Sequence, residues 1–552
     1  MIFKNGYMAI FLLSLIIGFL NILHVVLGAI KTPPGTIYLG SQHYLPDYFN
    51  FLSLIFQGQK GQWTLINYFT SEPMKGYFAI NWPYVIIGKI AAIFSFSPQL
   101  AYALAVAFGG AFVFFLAFLV VRLCFEEKKS LILPALFLFI FSGPFYELKS
   151  LFPPQVKIFS LTWYWRATFF DRLTVIPHYI FSSIFVYFLF FFSGKLFSSF
   201  KKGVNQKVFV YFSTTIVFFL LIMSVTPIKL VFLLPAFVLS LFYVFLSEKR
   251  TFSDFLKIAG LVLVLFLVLV SFAFYLKSSL SETIFPEVLE WERSAMEFPS
   301  LKTFFRGVGP LFLLFPLALI YLFVKKEKIH PVLFFGLVST IFSFSLFFTK
   351  ISLLFNNHNS RLIFSEGYLF LSVLLILAIS SIFKEKAKKF FWLFALIIIF
   401  SFPSTIFSLK QRGIKDPDFS DYFYYFPQKI IEGFKFIDRE KEMTKIVLTA
   451  QSSDIGIVLP IFARANVYAG RKMATIDFDQ KALSAEAFFQ GLLKPQDAAY
   501  FLKKNKINYI VWSSLDDRGG DPQKMINPPF LRPELPIRII FANEMVMIFR
   551  VI

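Results

Sequence analysis

The chain has 552 residues, of which 57% are hydrophobic, 20% aromatic and 16% charged, with a mean hydropathy of +0.69. A soluble chain of this size carries about a quarter charged residues, so the balance excludes an ordinary cytosolic enzyme, a disordered chain and a fibrous one. The net charge of +21 does not point to nucleic acid here, because the basic residues sit in short clusters between apolar runs, the pattern that orients a protein in a bilayer.

A spanning helix needs about 20 mostly apolar residues, and runs of that kind bounded by charge predict eleven spans. They cover residues 7–30, 99–121, 131–148, 176–194, 208–225, 228–246, 258–276, 307–324, 331–348, 366–383 and 390–408. The first is longer than the core of a signal peptide and is expected to stay as an anchor. The stretch 82–97 is apolar but short, opens with Pro83 and carries Lys89 at its middle, so it is expected to lie at the interface. Charge placement supports that choice. With the N-terminus in the cytoplasm, the inner segments hold 18 Lys and Arg in 50 residues and the outer loops 15 in 139. A twelfth span at 82–97 would reverse every later loop, against the positive-inside rule. The expected fold is therefore a polytopic α-helical membrane protein with a transmembrane domain over 1–408. Its outer loops are 31–98, 149–175, 277–306 and 349–365.

Beyond residue 408 the apolar runs shrink to strand length, at Ile446–Thr449, Ile507–Trp512 and Met545–Val551. They alternate with helix-like stretches at Ala485–Leu493 and Pro495–Lys504. This pattern predicts a small extracytoplasmic α/β domain over 409–552. Cys124 is the only cysteine, so neither an internal disulfide nor a CxxC site is available. No phosphate-binding glycine loop, HExxH or GxSxG elbow is present, and the centres of the spans lack charge, which counts against an ion-coupled pump.

Polar chemistry collects in the outer loops. The first loop holds His43, Tyr44, Asp47, Tyr48, Phe51, Gly58 and Glu72. Asp47 follows Pro46 and opens a helix-like run, which also fits an ordinary helix cap. The second loop holds Glu147, Trp163, Trp165, Arg166, Asp171, Arg172 and, at its end, His178. The tryptophans fit an interfacial aromatic belt, whereas Asp171, Arg172 and His178 bring an acid, a guanidinium and an imidazole to one depth. A third group comprises Lys350, Asn356, Asn357, His358, Asn359, Arg361 and Glu366. There an Arg can clamp a phosphate or simply pair with Glu366. The loop 277–306, with Glu282, Glu287, Glu290, Glu292 and Arg293, has the pattern of a solvated face.

A first span, a long outer loop with an early Asp, an aromatic four residues on and a nearby Gly, then an amphipathic stretch, a span and a basic turn resemble the GT-C superfamily of polytopic glycosyltransferases. The match includes the protein O-mannosyltransferases and aminoarabinose transferases. Asp47, Phe51 and Gly58 carry it, and Asn81-Trp82-Pro83 departs from the His-Pro-Pro of many relatives. The resemblance covers about residues 1–400 and implies transfer of a sugar from a polyprenyl-phosphate donor, with inversion, to a glycan, lipid or protein acceptor outside the cytoplasm. It implies Asp47 and Asp171 as catalytic carboxylates, which would also be the ligands of a divalent cation (Mg2+ or Mn2+) if one is used, although nothing in the sequence requires a cofactor. Arg361, Arg172, Lys350 and His178 are then expected at the donor phosphate. His43, Tyr44, Tyr48, Glu72, Asn357, His358 and Glu366 are expected at the acceptor or sugar. In relatives the region matching 277–306 forms a mobile cover, and the C-terminal domain is expected to bind acceptor or act as a lid. Its segment Arg464–Arg471 is read as a turn after a strand or as a contact to glycan. Alternative readings are a polysaccharide polymerase or ligase, with a late arginine as the key residue, and a lipid-linked-sugar flippase, with a hydrophilic cavity through the membrane.

Overall fold

The computed structural model describes residues 2–40, 44–126, 128–151, 154–159, 161, 168–200, 203, 205–248, 251–355, 357–383, 395, 398–399, 402–410, 422–442, 444–516 and 527–552. Among them, five helices are long and apolar enough to cross a membrane: Pro98–Cys124, Pro177–Phe200, Gln206–Val225, Pro227–Ser247 and Phe252–Leu280. Two bent pairs add Tyr7–Asn21 with Leu23–Ile30, at 54°, and Leu301–Val308 with Pro310–Val324, at 89°. The chain is a multi-pass membrane protein. Shorter apolar helices, Lys129–Phe141, Pro331–Phe347 and Gly367–Ile382, fall on the predicted third, ninth and tenth spans. About half of the predicted span 390–408 and the whole basic cluster 384–389 lie outside the described residues, as do Trp163, Trp165, Arg166, His43 and Asn356.

Two expected spans are cut by their own sequence. The third stops at Phe141, not at residue 148, because Pro144 pushes Gly143 away from helical backbone and offers no N–H. The chain then forms an antiparallel hairpin of Tyr146–Leu151 with Pro154–Ile158. The eighth turns a right-angled corner at Gly309, whose φ of 80° suits glycine and whose missing Cβ would sit 1.9 Å from the Gly143 carbonyl oxygen. Before the corner Leu301–Val308 is strongly amphipathic, and after it Pro310–Val324 is apolar throughout. The stretch 82–97 gives one helix, Trp82–Phe94, whose 13 residues rise about 20 Å. That is short of the roughly 30 Å hydrocarbon core.

The chain divides into two compact units. One comprises Met1–Leu23, Leu104–Lys277 and Leu289–Lys415. Its core is aromatic: Phe190 packs on Phe335 at 4.4 Å and on Phe370 at 4.5 Å between ring centroids, joining three helices. The other comprises His24–Ala103, Ser278–Val288 and Asp416–Ile552. It is built on a five-stranded sheet in the order Asn466–Val467, Ile446–Thr449, Tyr509–Ser513, Val546–Val551, Ile537–Ala542. The first three strands are parallel, and the last two close the sheet as an antiparallel hairpin. Ile446–Thr449 and Tyr509–Ser513 are buried on both faces, as central parallel strands are.

Phe478–Phe489 and Pro495–Lys504 cover one face of the sheet through Phe488, Phe489, Leu502 and Trp512. Gln428–Arg439 supplies Ile430, Ile431, Phe434 and Ile437 at helical spacing. The same unit pairs the helix Leu45–Gln59 with Trp82–Phe94. Their backbones touch, since a Cβ on Gly88 would lie 2.2 Å from the Ile55 carbonyl oxygen and one on Gly58 2.7 Å from that of Val85. Phe51 stacks on Tyr84 at 4.8 Å across the pair. Thr36–Tyr38 adds an antiparallel ribbon with Tyr425–Pro427.

Candidate functional site

Asp47 lies in the first turn of Leu45–Gln59, where Pro46 sets the backbone for a helix start and the positive end of the helix dipole favours a carboxylate. It is not the cap, because Tyr44 holds that position and makes no capping hydrogen bond with its side chain. Asp47 is 36% exposed, and its Oδ1 accepts a hydrogen bond from the guanidinium of Arg471, which is 12% exposed. Tyr48, the next residue, is buried edge-on against Tyr102 at 4.9 Å, so it serves as packing beneath Asp47. Tyr44 is exposed.

The segment that delivers Arg471 is zipped onto residues 67–72. Val467 N–H and Gly470 N–H donate to the carbonyls of Tyr68 and Phe69, and Asn466 Nδ2 donates to Thr70 O at 2.7 Å. Asn67 Nδ2 returns a bond to Ala474 O at 2.7 Å. Thr475 Oγ1 accepts from Arg471 N–H and donates to Phe69 O, fixing the arginine's backbone. Glu72 is held in the same zipper by Thr70 and by an ion pair with Lys481. Burial raises its carboxyl, but these bonds outweigh burial and hold it below the usual carboxylate range. Arg464, at the start of the segment, bonds Asp438 at 3.0 Å, and Lys60 meets the same carboxylate. The stretch Arg464–Arg471 thus contains a two-residue strand and two ion-pairing arginines. Sequence reasoning named Arg471 only as the end of this segment and did not single out Lys481, and the partners of both stand more than 400 positions away.

In the other unit, Asp171 sits in the short helix Phe169–Leu173. Thr168 caps that helix and donates to Asp171 Oδ2 at 2.5 Å, and Ser408 donates to Oδ1 at 3.4 Å. Arg172 points elsewhere. It is buried, its Nη2 donates to the carbonyls of Phe139 at 2.6 Å and Ser142 at 3.0 Å, and its guanidinium lies 4.4 Å from the Tyr368 ring centre. Arg172, expected at the donor phosphate, thus has backbone carbonyls and an aromatic ring around its charge. The His178 ring lies 4.1 Å from that of Tyr179.

Arg361 pairs with Glu292, Nη2 to Oε1 at 2.5 Å and Nε to Oε2 at 3.4 Å, and its guanidinium lies 5.8 Å from the Tyr179 ring. Glu292 is 6% exposed, so the helix Phe285–Ser294 is not simply a solvated face. Glu366, the partner suggested by sequence, instead takes Lys229 at 2.6 Å and Ser183 at 2.7 Å, all three buried. His358 is buried, caps the short helical turn Asn359–Leu362 and accepts from Ser360 N–H on Nδ1. Burial lowers its basicity more than its bond to the Ala295 backbone raises it, which keeps it neutral near pH 7. Asn357 donates to Phe355 O at 2.6 Å, and Lys350 is exposed. Arg361, His358 and Asn357 therefore share one loop whose Arg and His backbone both reach Glu292.

The described residues do not assemble a metal-ligand set, since no group of three or more His, Cys, Asp or Glu side chains converges among them. At Asp47 the adjoining charge is a guanidinium.

The architecture, apolar helices with a loop carboxylate after the first of them and a small α/β sheet, has the fold of the GT-C membrane glycosyltransferases. The oligosaccharyltransferase of Archaeoglobus fulgidus, tethered to an acceptor peptide with the sequon NVT, is similar with a TM-score of 0.53 at 14% identity, over 92% of this chain and 69% of that one. The same enzyme, AglB, with an inhibitory peptide and a dolichol-phosphate gives 0.52 at 14% identity over the same shares. The arabinofuranosyltransferase AftD from Mycobacteria gives 0.50 at 11% identity, over 99% of this chain and 40% of that one. No family model and no characterised protein matches the sequence.

Proposed function

We propose that this chain is a membrane glycosyltransferase that moves a sugar from a polyprenyl-phosphate carrier to an acceptor outside the cytoplasm. The observation that carries the reading is Asp47. It is a partly exposed carboxylate at a helix start, directly after the first apolar helices, in a chain with the GT-C fold. The dolichol-phosphate bound by the archaeal oligosaccharyltransferase supports a lipid carrier as donor, and the charge asymmetry of the loops supports a cytoplasmic N-terminus and an extracytoplasmic C-terminal domain.

In this reaction the acceptor oxygen forms a bond to the anomeric carbon while the bond from that carbon to the phosphate oxygen breaks. Asp47 takes the acceptor's proton, a role worth about 100-fold to 10,000-fold in rate. The lipid phosphate leaves as an anion and needs a cation more than a proton. Arg361 supplies it, with Lys350 and His178 in reserve. A single displacement from the face opposite the phosphate inverts the anomeric centre. Asp171 orients the acceptor, and Tyr44, Glu72 and Asn357 contact its sugar or backbone.

The test is transfer in membranes with a lipid-linked sugar as donor. Asp47→Asn removes the charge and keeps the shape, and is expected to abolish transfer at unchanged protein level. Near wild-type transfer by Asp47→Asn overturns the reading.

A further inference from the structure

We infer that the helix Leu301–Val308 lies flat in the head-group layer of the bilayer, at the face from which Pro310–Val324 enters the membrane. Leu301 and Phe305 reach the acyl boundary, and Lys302 stays at the level of the lipid phosphates. The first support is direction. Pro310–Val324 leaves Leu313, Leu317, Ile320 and Val324 exposed as one stripe, a surface suited to acyl chains. With that helix crossing the bilayer, the 89° bend at Gly309 turns Leu301–Val308 across it. Eight residues rise only about 12 Å, so the segment is too short to cross and holds one depth along its length.

The second support is the order of side chains around the helix, at about 100° per residue. Phe304 and Val308 form one edge and are buried in a cluster with Leu161, Phe344 and Phe347. Leu301 and Phe305 form the next edge and are exposed, and Lys302 follows them, also exposed. An exposed apolar edge beside a cation, on a strongly amphipathic helix, fits an interface in which the apolar side sinks roughly 5–10 Å into the head-group and acyl boundary. A deeper, re-entrant position would carry Lys302 into hydrocarbon at high cost. A position in water would leave Leu301 and Phe305 wetted next to a helix that faces lipid. The third support is that the helix is fastened to the protein at this angle. Phe145 N–H donates to Arg306 O at 2.9 Å, and Tyr368 Oη donates to Val308 O at 2.8 Å. The Arg306 guanidinium lies 4.9 Å from the Phe159 ring centre. The partner of the exposed edge is therefore the lipid surface that continues from the stripe on Pro310–Val324.

The experiment uses the full-length protein in nanodiscs of phosphatidylcholine and phosphatidylglycerol, with a nitroxide attached at Leu301→Cys, Lys302→Cys, Phe305→Cys or Leu313→Cys in turn. Cys124 is buried and stays in place, with the parent protein as the blank for its labelling. Electron paramagnetic resonance then compares relaxation of each label by oxygen, which concentrates among acyl chains, with relaxation by a water-soluble nickel chelate. The labels at 301 and 305 are expected to favour oxygen, at a depth of roughly 5–10 Å. The label at 302 should favour nickel, and the one at 313 should lie deeper than all three. Labels at 301 and 305 that favour nickel place this edge in water and overturn the inference. Shielding of both from oxygen and nickel alike shows that protein covers the edge, and overturns it too. A label at 302 as deep as that at 313 makes the segment re-entrant, which also overturns it. The four positions are exposed, so each variant keeps the packed edge of Phe304 and Val308 intact.

Discussion

Asp47 and Arg471 stand 424 positions apart in the chain and meet as an ion pair inside one compact unit. The carboxylate comes from the start of a helix near the N-terminus, and the guanidinium from a loop behind the strand Asn466–Val467. The helix start accounts for the acid, but nothing local to the chain brings the arginine to it. The charge at the candidate catalytic position is therefore set by the tail of the protein as much as by the loop that carries the acid.

Arg361 is held by Glu292, a buried carboxylate that occupies the place of an anion. Arg361→Ala is expected to raise the KM for the lipid donor about 10-fold to 100-fold, the span of a charge-assisted hydrogen bond, with the acceptor KM unchanged. Glu292→Gln should shift the donor KM the other way, because it releases the guanidinium. Steady-state kinetics with donor and acceptor varied separately check this, and equal shifts in both constants would assign Arg361 a structural role.

The helix pair Leu45–Gln59 and Trp82–Phe94 carries Asp47 and meets backbone to backbone at Gly58 and Gly88. Gly88→Ala places a methyl group 2.2 Å from the Ile55 carbonyl oxygen, so the helices must part. Overpacking of this kind costs about 1–3 kcal/mol, and the variant is expected to unfold at a lower temperature and to lose transfer through the displaced Asp47. Gly260→Ala, whose added Cβ meets nothing within 4 Å, should keep the wild-type Tm. Thermal unfolding of both variants in the same detergent makes the comparison, and equal Tm values would show that the helices absorb the methyl group.

Asp516 follows the strand Tyr509–Ser513 and is buried under hydrogen bonds from Ser453 and from Ser513 N–H and hydroxyl, at 2.7 and 2.9 Å. Burial pushes its carboxyl up to about 6, and these hydrogen bonds only partly offset it. The folded protein therefore binds this proton more tightly than the unfolded chain does. Its contribution to stability is complete below about pH 4 and is lost as the pH rises through about 6. Asp516→Asn cannot ionise, so it should flatten the fall in stability between pH 4.5 and 7. At pH 7.5 its gain over the wild type is at most about 3 kcal/mol. Unfolding curves across that range, followed by tryptophan fluorescence, would dismiss the idea if both proteins kept the same slope.

Hydrophobic runs made most of the helices legible, because a segment sheltered from water throughout needs no partner to announce itself. Pro144 and Gly309 then show what run length alone misses, a helix cut short and a helix folded at a right angle by single residues. In the tail, Ile446–Thr449 stood out because a fully buried strand is a short unbroken apolar run. The strand Ile537–Ala542 did not, since half of it faces outward and its composition is mixed. Asp47 could be singled out from the loop around it, whereas the ion pairs of Arg471, Lys481 and Lys229 could not. An ion pair leaves no trace in sequence when its two halves lie hundreds of residues apart, and the acidic pattern of Phe285–Ser294 concealed that Glu292 is buried.

The unit holding Asp47 is assembled from His24–Ala103, Ser278–Val288 and Asp416–Ile552. During synthesis its first piece emerges long before its last, so the early loop must wait, unfinished, while the intervening membrane helices are made and inserted. Its zipper and its ion pairs with Asp47 and Glu72 can close only once residues 464–481 have been made. Maturation of this unit is thus a late, post-insertion event, and a nascent chain stalled before residue 416 would carry the acid without the arginine.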